Sequence, residues 1–383
     1  MDWMDESQSM IGAYGEWAAG LYGDAVPELS FRNDRFTDLG AWKKNAKAKV
    51  LELLRIPEMD SYRDLKIESS HTFEGLHIEE LSWQLPYGPR TKATFLRPIN
   101  YSGKLRGVLG LHDHSGIKYF GRRKIIRTKE GLHPMMKELQ DRSYGGKAWA
   151  NELAQRGYAV LVPDVYSFGS RRIFLKDVPE RIRGKISDPE ESDLAGIKAY
   201  NSWAGNHESI NAKSLFSAGT SWPGLTFYED QQALHVLANR VEVDEDRLGC
   251  GGLSGGGLRT VLLSGLDERI KSAVSVGFMT SWKDFLLHKA YTHTWMIYIP
   301  GLARFLDFPE IMALRTPLAS LVLSNTEDPL FSLREMEEAD QIMKDVYAKA
   351  KAADRYRASF YPGGHKFDQS MQVEAFEFFD RFL

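Results

Sequence analysis

One cysteine, Cys250, is all this chain of 383 residues contains, so no intrachain disulfide can form. No broad basic field exists either: 49 Lys and Arg stand against 52 Asp and Glu, a net charge of -3 that offers nucleic acid no electrostatic footing. The opening Met1-Asp2-Trp3-Met4-Asp5-Glu6 is acidic and lacks the basic and apolar segments of a secretion signal. No run of about eighteen apolar residues suggests a membrane span. These absences point to a cytoplasmic protein without nucleic-acid or membrane partners, free to form a homo-oligomer. A basic run, Lys118, Arg122, Arg123, Lys124, Arg127 and Lys129, is balanced elsewhere and reads as a solvated loop and helix face. The rest of the composition, 43% hydrophobic and 26% charged, is that of an ordinary globular enzyme.

What the chain does have is glycine in one telling place. Gly252-Leu253-Ser254-Gly255-Gly256 matches G-x-S-x-G, the pattern of a strand turning sharply into a helix with a serine hydroxyl exposed at the tip. A side chain at 252 or 256 is expected to collide with the neighbouring strand or helix. The segment Val241 to Arg247 reads as a turn into a strand, and Leu258, Val261, Leu262 and Leu263 supply an apolar helical face behind the serine. Two nucleotide readings of the glycines fail. A dinucleotide fingerprint counted from Gly249 and Gly251 places Ser254 where its last glycine belongs, and the glycines are not followed by the Lys before Ser or Thr that a phosphate loop requires.

The surrounding pattern gives the fold. Residues 1 to 35 are aromatic-rich without a clear period, whereas 38 to 57 carry Leu39, Trp42, Ala46, Val50, Leu53 and Leu54 at helical spacing. Alternating segments near Leu65–Glu68, Leu76–Trp83 and Lys92–Pro98 predict an antiparallel meander. Near-continuous apolar strands follow at Gly107–His112, Tyr158–Asp164, Ile270–Val276, Leu318–Ser324 and Arg357–Tyr361. Helical patterns separate them, one running from about Tyr228 to Asn239 and one closing the chain from Asp368. Such alternation predicts an α/β fold with a mostly parallel sheet covered on both faces. We therefore expect an N-terminal helical extension (1–60) and a catalytic domain (61–383) carrying lid-like insertions at about 170–225 and 282–312. Trp203 and Trp222 in the first and Trp295 in the second are candidate stacking surfaces for substrate.

A serine hydroxyl needs a base beside it. Of ten histidines, His365 lies in a glycine-bearing loop directly after the last strand, where loops gather along one edge of a parallel sheet. Asp328, in the loop after the strand ending at Ser324, is the leading acid to orient it. Glu327 and Asp284 are its rivals. The backbone N–H of Gly255 and a donor from His112-Asp113-His114-Ser115-Gly116, with His114 ahead of Ser115, are expected to hold a tetrahedral oxyanion. In an extended His-Asp-His run only His112 and His114 share a face, and no H-E-x-x-H spacing occurs, so the sequence points to no metal.

Taken together, His112 to Gly116 with Lys118 and Gly121, Val162-Pro163-Asp164, Val243 to Gly256, Asp328-Pro329 and Gly364-His365 make the chain from about residue 40 onward resemble the α/β-hydrolase superfamily. The likeness is greatest to its dienelactone-hydrolase-like and acetyl-xylan-esterase-like branch. The resemblance implies an eight-stranded sheet, a Ser-His-Asp triad and no cofactor. Dienelactone hydrolases carry a cysteine nucleophile where this chain has Ser254, which favours ordinary ester cleavage. Relatives often read H-G-G where it has His114-Ser115-Gly116. The function this implies is serine carboxylic-ester hydrolysis through an acyl-enzyme, on a small-molecule or esterified carbohydrate substrate. A peptidase, a thioesterase and a non-catalytic receptor on the same fold are the alternatives.

Overall fold

The computed structural model describes residues 9–23 and 25–383. The acidic opening, Met1 to Glu6, lies outside them. Nine strands form one sheet: β1 Arg63–Phe73, β2 Leu76–Gln84, β3 Thr91–Pro98, β4 Leu105–Gly110, β5 Tyr158–Pro163, β6 Val243–Leu253, β7 Ile270–Val276, β8 Ala319–Asn325 and β9 Tyr356–Tyr361. Their order is β1-β2-β3-β5-β4-β6-β7-β8-β9. The meander β1 to β3 is antiparallel, β3 joins β5 antiparallel, and every pairing from β5 through β9 is parallel. The sheet thus has one strand more than the eight that the resemblance implies. The extra strand is the edge strand β1, whose side chains are exposed along almost its whole length. It is held by backbone pairing to β2 through a two-residue turn at Glu74 and Gly75, both with positive φ (48° and 79°). That turn matches the twist of the ribbon, so β1 needs no apolar pattern to form.

Apolar runs explain the parallel strands. Every residue of β5 and β8 is buried, as helices on both faces require. One face packs Trp149, Leu153, Phe376 and Phe379, while the other packs Leu234, Leu258, Leu262 and Ile311. The helix Leu39–Leu54, capped by Asp38, drives Trp42, Ala46, Val50 and Leu54 into that second core, so the N-terminal segment is built into the main body. A shorter helix, Gly15–Tyr22, lies within the stretch where the sequence shows no period. The helix expected from about Tyr228 begins earlier, at Trp222, with Ser221 as its cap and Pro223 in its first turn. Gly224 permits that start, because a methyl there would strike the carbonyl of Leu54. Among the described residues no helix is long and apolar enough to cross a membrane.

The chain enters the parallel part of the sheet at β4, passes to β5 on one side and returns to β6 on the other. The direction of winding therefore reverses between β4 and β6, and the carboxyl ends of those strands are where open α/β sheets bind their ligands. The loop after β4 carries His114, and the turn after β6 carries Ser254.

Candidate active site

Ser254 is the single residue between β6 and the helix Gly255–Leu266. It is held at φ 59° and ψ -120°, a conformation that costs a non-glycine residue about 1–3 kcal/mol and persists only where the surroundings enforce it. The enforcement is visible. Its N–H donates to Val276 O of β7 (2.8 Å), and its carbonyl accepts from Leu258 N (2.9 Å). A methyl on either Gly252 or Gly256 would run into the carbonyl oxygen of Leu111, so both glycines of the motif are required by close approach to the end of β4, as the sequence predicts.

His365 sits in the loop after β9 with its Nδ1 2.6 Å from Asp328 Oδ2. Asp328 is buried, and its other oxygen accepts from the Leu330 N–H (3.0 Å). The acid therefore fixes the ring proton on Nδ1 and leaves the Nε2 lone pair available. That Nε2 is buried and has no hydrogen-bond partner among the described residues. The rivals are engaged elsewhere. Glu327 is exposed, with Oε1 accepting from Gly363 N (3.3 Å), and Asp284 Oδ2 accepts from Thr280 Oγ1 (2.8 Å) and Ser332 N (3.0 Å).

The His365 ring rests on Gly277, the residue after the Val276 that anchors Ser254. Ser254 and His365 thus share one support. A methyl on Gly277 would lie 3.0 Å from His365 Cε1 and 3.0 Å from Leu253 Cδ1, and Gly277 has φ 55°. Ser254 Oγ and His365 Nε2 are not hydrogen-bonded to each other; such contacts often close only when substrate is bound. Gly277→Ala is expected to lower kcat by about tenfold or more through displacement of the base, because small misplacements of reacting groups are expensive. Parental kcat in a folded variant would show that the ring is not seated there.

The loop after β4 carries the residue expected to give the second donor, His114. A methyl on Gly255 would lie 3.1 Å from the His114 backbone nitrogen, so the His114 amide stands against the start of the helix that follows Ser254. Neither the Gly255 N–H nor the His114 N–H donates to an acceptor among the described residues. Two members of the basic run, Lys118 and Lys124, prove to be buried supports of this loop, which corrects their reading as part of a solvated face. Lys124 is 0% exposed and donates to the carbonyls of Asp113 (2.7 Å) and His114 (2.8 Å). Burial pulls its pKa down to about 8. Lys118 is 1% exposed, and Arg122 bridges Asp164 (2.8 Å) and Glu80 (3.0 Å). Asp113 takes the hydroxyls of Tyr144 and Ser115, which ties down the centre of the His-Asp-His run. Charged groups are buried here because each has partners at close range.

The three tryptophans diverge. Trp222 is 0% exposed in the core beneath Lys118 and has no free face for a sugar, a consequence of its place at the start of the long helix rather than in a lid. Trp203 is half-buried and stacks on His207 (4.5 Å between centroids). Trp295 keeps 39% of its surface exposed. Three residues near the site carry no sequence signal: Glu208, which reaches the His114 loop, Thr294, which bonds Glu208, and His293. His293 lies against Phe278, Phe285 and Phe331, and burial lowers its pKa to about 4. No spacing pattern links these residues to the triad.

The architecture is that of the α/β-hydrolase fold, with Ser254, Asp328 and His365 on the loops after β6, β8 and β9 at one sheet edge. No family model matches the chain. It is 26% identical over 309 residues, 80% of this chain and 88% of the relative, to "Putative hydrolase YtaP" of Bacillus subtilis (strain 168). Among solved structures, one described as a putative acetyl xylan esterase from Bacteroides fragilis superposes with a TM-score of 0.67 at 18% identity, covering 92% of this chain and 83% of that one. A glucuronoyl esterase from Solibacter usitatus gives 0.62 at 13% identity, covering 93% and 97%.

Proposed function

We propose that this protein is a serine carboxylic-ester hydrolase. The observation that carries the reading is the His365 ring, bonded through Nδ1 to Asp328 at 2.6 Å while its buried Nε2 has no partner. That ring lies on the strand end that also anchors a strained Ser254. Ser254 Oγ attacks the ester carbonyl as His365 Nε2 takes its proton. The N–H groups of Gly255 and His114 receive the negative oxygen. His365 returns the proton to the departing alcohol, leaving an acyl ester on Ser254. A water, deprotonated by the same nitrogen, attacks that ester and releases the acid. The chemistry requires no cofactor.

The substrate we favour is an esterified carbohydrate. Trp295 offers an exposed aromatic face in the second insertion. The structural neighbours include proteins described as an acetyl xylan esterase and a glucuronoyl esterase. Purified protein is expected to hydrolyse acetylated xylo-oligosaccharides faster than simple alkyl acetates, long-chain acyl esters or acyl-coenzyme A, measured as acid released. Preference for acyl-coenzyme A would replace this reading with a thioesterase. We place the activity in the cytoplasm, a location that cell fractionation tests directly.

A further inference from the structure

Glu208 is the first residue of the helix Glu208–Ser217 in the first insertion, and it is buried. Three side chains meet on its carboxylate. Gly116 N–H donates to His114 Nδ1 (3.0 Å), so the ring proton of His114 sits on Nε2, which donates to Glu208 Oε1 (2.6 Å). Lys118 Nζ reaches the same oxygen (2.6 Å), and Thr294 Oγ1 donates to Oε2 (2.6 Å). Lys118 is further fixed by Ser167 Oγ (3.1 Å) and by the ring of Phe168 at 4.1 Å. Burial opposes the charge on Glu208, yet the bonds from His114 and Lys118 hold its carboxyl well below the ordinary range.

The strap that brings Thr294 also reaches the other half of the site. Next to it, His293 Nε2–H donates to Leu330 O (2.9 Å), and Thr292 Oγ1 reaches the same carbonyl (3.3 Å). The Leu330 N–H is the group that anchors Asp328. Residues 292–294 thus touch the loop of the acid on one side and, through Glu208, the loop of the oxyanion donor on the other.

We propose that Glu208 is a positioning residue that grips the His114 ring and thereby sets the His114 backbone N–H in the oxyanion hole, with Thr294 tying the second insertion to that grip. The inference rests on the ester-hydrolase reading above. A donor aimed at a developing oxyanion acts only if its placement is fixed before reaction, and a loop amide has no rigidity of its own. Lys124 secures the carbonyls flanking that amide, and Glu208 secures the side chain.

The test uses the full chain with Glu208→Gln, His114→Ala, Thr294→Val and the Glu208→Gln/His114→Ala double variant. Each is assayed for kcat and KM on p-nitrophenyl acetate, for melting temperature and for inhibition by phenylboronic acid, whose tetrahedral adduct on Ser254 places an oxygen in the hole. Glu208→Gln is expected to lower kcat about 10- to 100-fold with KM within about twofold, and the boronate inhibition constant should rise in step. Thr294→Val should lose about three- to tenfold, and the double variant should fall no further than its weaker parent, since both changes remove one linkage. Losses that multiply in the double variant, or a lowered melting temperature with kcat and boronate affinity unchanged, would overturn the proposal. If Glu208→Gln does not fold, parental kcat and boronate affinity in Thr294→Val would overturn it equally. Ser254→Ala separates the two levels. Should it retain turnover, the hydrolase reading itself falls; should it be dead while Glu208→Gln matches the parent, only the positioning role falls.

Discussion

Ser254→Ala is expected to hydrolyse p-nitrophenyl acetate on the order of 10⁴- to 10⁶-fold more slowly than the parent, with its fold and melting temperature essentially retained. The size of the loss follows from what remains. Without Oγ no acyl-enzyme can form, so His365, the Gly255 and His114 N–H groups and the pocket can act only on water attacking directly. Such residual machinery still accelerates hydrolysis by roughly 10³- to 10⁴-fold over solution, so the variant should sit above the uncatalysed rate. The fold should survive because Ser254 is held by its backbone, through Val276 O and Leu258 N, and its side chain makes no hydrogen bond among the described residues. Alanine at φ 59° bears the same strain as serine. Rapid-mixing assays separate the outcomes: the parent should show a burst of nitrophenol equal to the enzyme present, and the variant none. Near-parental turnover by the variant would remove Ser254 from the chemistry.

The parts of this site that a reader could find in the sequence share one property: each sits where a local pattern stops. Ser254, Asp328 and His365 lie just beyond the carboxyl ends of β6, β8 and β9; β8 and the second half of β6 are buried on both faces and read as apolar runs, while the edge strand β9 is legible from its aromatic and small residues before a glycine-bearing loop. The topology then brings such loop residues together whatever lies between them. Other parts have no local signature. Lys118 and Lys124 stand among arginines in a loop, and nothing in their spacing shows that two ammonium groups are buried there; that depends on Glu208, ninety positions later, and on carbonyls of the chain's own turn. The edge strand β1 is legible only over Leu65–Glu68, where apolar and polar residues alternate; the rest of it is exposed and polar, and it is held to β2 by backbone pairing and by polar contacts such as Ser82 to Glu68. Trp222 misled for a related reason. Its neighbours Pro223 and Gly224 read as a loop, but proline in a first turn and a glycine against Leu54 O are how this helix begins.

Asp328→Asn should lower kcat by about 10⁴-fold while leaving KM little changed, and the reason lies in which oxygen is anchored. Asp328 Oδ1 accepts from the Leu330 N–H at 3.0 Å, and Oδ2 faces His365 Nδ1 at 2.6 Å. An asparagine in this buried position has one acceptor and one donor to place. The Leu330 N–H selects the amide oxygen for the first site, because an NH₂ there would put two donors face to face. The NH₂ then occupies the Oδ2 site and donates to Nδ1, which drives the ring proton to Nε2. A histidine protonated at Nε2 cannot take the Ser254 proton, and the negative charge that stabilises the imidazolium is gone as well. The two rivals provide the control. Glu327→Gln changes an exposed side chain that meets only Gly363 N, and its kcat should stay within about twofold of the parent. Asp284→Asn disturbs bonds to Thr280 and Ser332 and should lower melting temperature more than kcat. If Asp284→Asn instead fell as far as Asp328→Asn, or Asp328→Asn stayed within about tenfold of the parent, the carboxylate that orients His365 would have to be sought outside the loop that follows β8.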